Sequence, residues 1–179
     1  MTDAAQNVTP KRAELDRGFQ AWLAMNEYLV ECEFLIFDVD GMPDDPYTEE
    51  GLRIAEAEAL RRFPDLASAR APENAAMFDK FVRFLGETLV RRLNGEWTND
   101  AGMDREVPYI GVQIPEMSIS TNIPLLVTSA MARRTGDRWA FVLRAQENLQ
   151  RERREGTDEL FNAIKAAELE EANGEPAAD

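Results

Sequence analysis

The chain predicts a predominantly helical α+β fold: long N-terminal helices, a small two- to three-stranded antiparallel sheet, and C-terminal helices. Three observations predict it. Apolar residues recur close to every 3.6 positions through much of the chain up to Leu93, the signature of helices with one buried face. The texture changes at Gly95, where Val, Tyr and Ile between turn-forming residues take over, the composition of short strands. Helical spacing returns beyond Pro124 and supplies elements to cover a sheet too small to stand alone.

In chain order, Thr9-Pro10 reads as an N-cap followed by proline at the first helical position, where the missing N–H costs nothing. Leu15, Phe19, Trp22, Leu23, Leu29, Val30, Phe34 and Phe37 then define one long helix over residues 10–37, with Cys32 on it as a small buried apolar residue. Residues 38–47 hold two prolines, one glycine and four aspartates and read as a loop. Thr48 opens a second helix, with Glu49 and Glu50 placed to favour its dipole and Leu52, Ala55, Leu60 and Phe63 on one face. After a loop over residues 64–72, Met77, Phe81, Phe84, Leu85, Leu89 and Leu93 mark the clearest amphipathic helix, over 73–93, closed by Asn94-Gly95 as a left-handed cap.

Trp97 begins a short strand, residues 99–102 a turn, 107–114 a second strand, and Ile119 sits on a third. Asn122-Ile123-Pro124 restarts helix to about Arg134, and Asp137 caps another carrying Trp139, Val142, Leu143 and Leu149. A last helix runs over 157–172. Residues 1–8 form a disordered lead, 9–172 one α+β domain, and 173–179 an acidic disordered tail.

Composition narrows function. With 179 residues, 44% hydrophobic and 30% charged, the chain suits one domain with a filled core. It has no histidine and one cysteine, which removes imidazole and multi-thiolate zinc sites and the serine–histidine and cysteine–histidine catalytic pairs. A net charge of −14 opposes nucleic-acid binding, which needs clustered Lys and Arg on phosphates. No run approaches a membrane span, and the N-terminus lacks a secretory pattern, so a cytoplasmic location is expected. Acidity of this degree favours a basic partner.

Asp38-Val39-Asp40-Gly41 behind the apolar run Phe34-Leu35-Ile36-Phe37 resembles the first motif of the haloacid-dehalogenase phosphatases. That resemblance implies Asp38 as the nucleophile forming an aspartyl phosphate, Asp40 as the general acid and base, and Mg²⁺ between them. Leu125-Leu126-Val127-Thr128 is similar to the same family's second motif. The family's later lysine and closing acidic pair have no counterpart: beyond Thr128 the one lysine is Lys165, followed only by an acidic helix end. The same loop places Asp38, Asp40 and Glu49 at the first, third and twelfth positions of a calcium loop, but Met42, Pro43 and Pro46 break that pattern.

Gly86-Glu87-x-Leu89 on a helix, then Gly95-x-Trp97 opening a strand, resembles small bacterial domains of unknown function, some found near toxin genes. Gly86 would let the helix approach the sheet closely, and Trp97 would cover the sheet edge or core. Glu87 has Arg83 and Arg91 four residues away on either side and reads as ion-paired. The expected function is a non-enzymatic acidic interaction protein, of inhibitor or immunity type or an accessory subunit, binding a basic protein through Asp38, Asp40, Asp44, Asp45, Trp97 and Tyr109. No metal or cofactor is called for, and an apolar stripe on the first helix leaves a homodimer open. The alternative is a Mg²⁺-dependent phosphohydrolase using Asp38 and Asp40.

Overall fold

The computed structural model describes residues 10–100 and 109–156. Its elements are α1 (Pro10–Ala24), a π-helix (Tyr28–Asp38), α2 (Glu49–Arg62), α3 (Leu66–Arg70), α4 (Ala75–Leu93), β1 (Glu96–Thr98), β2 (Gly111–Ile114), β3 (Ile119–Asn122), α5 (Ile123–Arg133) and α6 (Arg138–Glu155). The three strands form one antiparallel sheet in the order β1-β2-β3, with Trp97 opposite Val112 and Val112 opposite Thr121. The fold is thus the predominantly helical α+β architecture that the periodicity predicts. Thr9, residues 101–108 with the first part of the expected second strand, and the expected helix from 157 lie outside the described residues.

The core is organised around α4, which packs on the π-helix, α5, α6 and β2. Phe81, Phe84, Leu85, Leu89 and Leu93 are buried along it, joined by Phe34, Leu52, Phe63, Ile114, Ile123 and Trp139 from its neighbours. Each such side chain contributes about 1.5–3 kcal/mol by leaving water. Asn94 adopts φ 51° and its N–H bonds the carbonyl of Val90, so the helix ends on the left-handed cap expected from its sequence. At Gly86 an added Cβ would stand 1.9 Å from Cη2 of Trp97, which shows why glycine is there: the indole of β1 lies directly on the helix backbone.

Helix starts follow the caps. Thr48 accepts a hydrogen bond from the N–H of Gly51, and Asn122 from that of Leu125. Asp137 occupies the N-cap position of α6 as expected, but its side chain makes no capping bond. The carboxylate of Glu56, fully buried on α2, replaces it, accepting the N–H groups of Arg138 at 3.1 Å and Trp139 at 2.8 Å.

Three expectations change. The helix over 10–37 is interrupted at Met25 and wound as a π-helix from Tyr28, so its buried residues are Val30 and Phe34 while Ile36 and Phe37 face out, 61% and 78% exposed. Cys32 is exposed rather than buried, because it lies two residues from both Val30 and Phe34, on the opposite side of the helix from these buried side chains. The loop over 64–72 contains α3, started by a capping box in which Asp65 and Ser68 satisfy each other's backbone N–H groups.

Candidate functional site

The π-helix ends at Asp38, and the chain then turns through residues 39–48 before α2. Val39 and Tyr47 are buried and pin the two ends of this loop to the core, leaving Asp40, Asp44 and Asp45 exposed on its outer side. Asp45 accepts the N–H of Tyr47 at 3.0 Å, an Asx turn that fixes the loop's return.

Asp38 belongs to the interior of the junction. Its carboxylate takes the Lys80 ammonium of α4 at 2.7 Å and lies 3.9 Å from the Arg62 guanidinium of α2, while its carbonyl accepts Arg62 Nη2 at 2.8 Å. Lys80 also reaches Glu33 at 2.8 Å. Burial works against the Lys80 ammonium, but hydrogen bonds to Asp38 and Glu33 outweigh it and hold its pKa above the ordinary lysine value. Glu58 takes Arg61 and Arg62 at 2.6 Å and 2.5 Å. The hydrogen bond from Arg61, opposed by partial burial and reinforced by Arg62, keeps Glu58 below the usual carboxylate range. The arginines and the lysine of this junction are therefore all paired within the chain.

Between the end of the π-helix and α2 lies an open groove of about 510 Å³, lined by Phe37, Val39, Ile54 and Ala57 with Asp38, Asp40, Glu58 and the two arginines. Its apolar lip is Phe37, with Ile36 beside it in the chain. Of the acids that line it, Asp40 has no ion-pair partner among the described residues; Asp44, likewise unpaired, and Asp45, which bonds only its own loop, lie further along the chain and outside the groove lining.

The other sequence candidates sit elsewhere. Trp97 stacks edge-on with Trp22 of α1 at 5.1 Å, and its Nε1 donates to Glu87 at 3.3 Å. Glu87 also accepts Asn26 at 2.8 Å and pairs with Arg91 at 2.9 Å, the expected i,i+4 ion pair. Arg91 lies 3.8 Å above the Tyr47 ring, and Tyr47 donates to Glu31 at 2.5 Å. Burial, then that bond to Glu31, pushes the Tyr47 phenol far above its ordinary pKa, so it is a fixed donor. Tyr109 stands just before β2, its hydroxyl 2.9 Å from Ser120 Oγ.

The structure therefore does not gather the predicted residues into one site. Asp38 is consumed by Lys80 and Arg62; Asp40, Asp44 and Asp45 share an exposed loop; Trp97 and Tyr109 belong to the sheet side. Among the described residues no group of three or more acidic or thiol side chains is placed to hold a metal ion. The phosphatase resemblance asks for strands at both of its motifs; residues 34–37 are π-helical and 125–128 lie in α5. What sequence reasoning missed is Ile36 and Phe37 as surface residues and Lys80 as the partner of Asp38. No family model, curated protein or solved structure matches the chain.

Proposed function

We propose that the chain is a non-enzymatic acidic interaction protein, of inhibitor, immunity or accessory-subunit type, whose contact face is the exposed end of the π-helix together with the 38–45 loop. Its partner is a protein segment that is basic and carries apolar anchors. The observation behind this reading is the pairing of two features that single-chain folding does not use: Phe37 stands out of the core at the rim of the groove, with Ile36 exposed next to it in the chain, and the same groove is lined by the unpaired acid Asp40, with Asp44 and Asp45 exposed further along the loop. Apolar anchors ringed by unpaired charge of one sign are the makings of a specific, steered contact. The net charge of −14 adds long-range attraction for a basic partner.

Asp38 acts in this face as a strut. Held by Lys80 and Arg62, it fixes the π-helix end against α4 and α2 and keeps the loop in place. A phosphohydrolase would need that carboxylate free to attack phosphorus.

The test is capture from native lysate at low salt, comparing the parent with Phe37→Ser and with the triple change Asp40→Asn, Asp44→Asn, Asp45→Asn. A basic protein retained by the parent, released by salt and lost from both variants is the expected result. Capture that is unaltered in both variants, or Mg²⁺-dependent turnover of an aryl phosphate that Asp38→Asn abolishes, overturns the proposal.

A further inference from the structure

Of the six large hydrophobic side chains exposed among the described residues, four fall between positions 25 and 37: Met25 at 47%, Tyr28 at 53%, and Ile36 and Phe37 above either. Cys32, between them in the chain, is exposed as well. A π-helix returns to the same side about every four to five residues, so Tyr28, Cys32 and the Ile36-Phe37 pair form one row that runs into the groove. Val30 and Phe34 take the other side into the core. The side chains of the row belong neither to the core cluster nor to the partly buried residues around it. Among the described residues neither the Tyr28 ring nor the Phe37 ring is stacked on another ring or under a cation.

The charge beside this row has an order. Glu31 and Glu33, next to its middle, are both engaged by α4: Glu31 takes Arg91 at 2.8 Å and Glu33 takes Lys80 at 2.8 Å. Glu27 and Asp40, at its two ends, are exposed and have no ion-pair partner among the described residues. The chain has no lysine or arginine from position 18 to position 52, so neither end acid has a cation near it in sequence. The row is therefore apolar and compensated along its middle and negative at both ends. A second copy of the chain fits this pattern badly, because a two-fold pairing of like surfaces sets acid on acid at each end whichever way the helices run.

We infer that the partner segment docks along the whole π-helix and is itself apolar in the middle and basic at both ends. Its apolar side chains cover Tyr28, Cys32 and Ile36, one basic end meets Asp40 and the other meets Glu27. Apolar anchors at the centre and complementary charge at the rim are how such contacts gain affinity and register. The inference rests on the proposed basic partner and specifies its pattern and the surface it covers.

Cys32 is the chain's one cysteine, so its reaction with a maleimide reports whether this row is covered. Two fluorescent peptides of identical composition are titrated into the full chain, one with lysines at both ends of a Leu- and Phe-rich centre, the other with the lysines gathered in the centre. The first should bind about tenfold more tightly than the second and, at saturation, slow Cys32 modification about tenfold. Tyr28→Ser, which alters an exposed side chain and should melt with the parent, should weaken the first peptide about fivefold. Binding that Phe37→Ser abolishes, with Cys32 reacting at its free rate and Tyr28→Ser binding as the parent does, overturns the inference and leaves the groove reading standing. No binding of either peptide overturns both. Equal binding of the two peptides overturns the charge pattern and with it the assigned partner. Cys32 that is slow in the chain alone and quickens on dilution places a second copy on the row and overturns the inference too.

Discussion

Two buried charges, Glu56 and Arg83, each span separate elements and carry more of the fold than any surface ion pair. Arg83 is 3% exposed, bonds Asp79 at 2.6 Å and the Trp22 carbonyl at 2.8 Å, and so locks α1 to α4. Glu56 caps α6 from α2. Glu56→Ala removes the acceptor for two buried N–H groups and should cost about 3 kcal/mol in urea unfolding. Burial pushes the Glu56 carboxyl above the usual carboxylate value, and the N–H groups of Trp139 and Arg138 pull only partly the other way. A raised folded pKa means that its stabilisation is complete below the unfolded value, about 4.3, and is lost as pH rises through the folded one. Stability of the parent relative to Glu56→Gln should therefore fall as pH rises from about 4 toward 7. A difference that is flat, or that grows with pH, contradicts this.

At the scale of elements, the π-helix decides which residues reach the surface. Bonding from i to i+5 widens the turn, so Val30 and Phe34 are buried while Phe37 no longer shares a face with Phe34. Phe34→Ala should cost about 3–5 kcal/mol, whereas Phe37→Ser should stay within about 0.5 kcal/mol of the parent. Equal losses at the two positions would return the segment to an ordinary α-helix. Helix α4 and β1 give a second measure, because Gly86→Ala drives a methyl into the Trp97 ring and should cost about 1–3 kcal/mol by thermal melting. These elements also show how far the sequence could be read. The amphipathic stripe of α4, its Asn94 cap, the close approach of helix and sheet at Gly86 and the Asn122 cap follow from local patterns, and the structure has each of them, whereas Trp97 as the residue that lies on Gly86 was not specified by its position in the sequence. The π-winding was not legible, since the apolar residues of 28–38 fit a 3.6 period well enough and only tertiary packing chooses the wider turn. Lys80 as the partner of Asp38 is 42 residues away, and no local spacing announces such a pair.

For the whole molecule, the arrangement is a helical domain around α4 with one feature its own folding leaves unused, the groove between the end of the π-helix and α2. Among the described residues no helix is long and apolar enough to cross a membrane. The candidate residues read from sequence fall into separate regions because the chain employs Asp38 and Trp97 in joining elements and keeps Asp40, Asp44 and Asp45 outside. The Asp-Val-Asp-Gly stretch was legible as acidic and loop-forming, but which of its carboxylates is free depends on contacts with α2 and α4. The central claim, that the Phe37 groove and its acids form one docking face, is tested most directly by titrating a fluorescent, Arg- and Lys-rich amphipathic peptide into the parent and into Phe37→Ser. Saturable binding to the parent that weakens steadily with salt and falls at least tenfold in the variant is the expected result. Binding of equal strength to both proteins would contradict it.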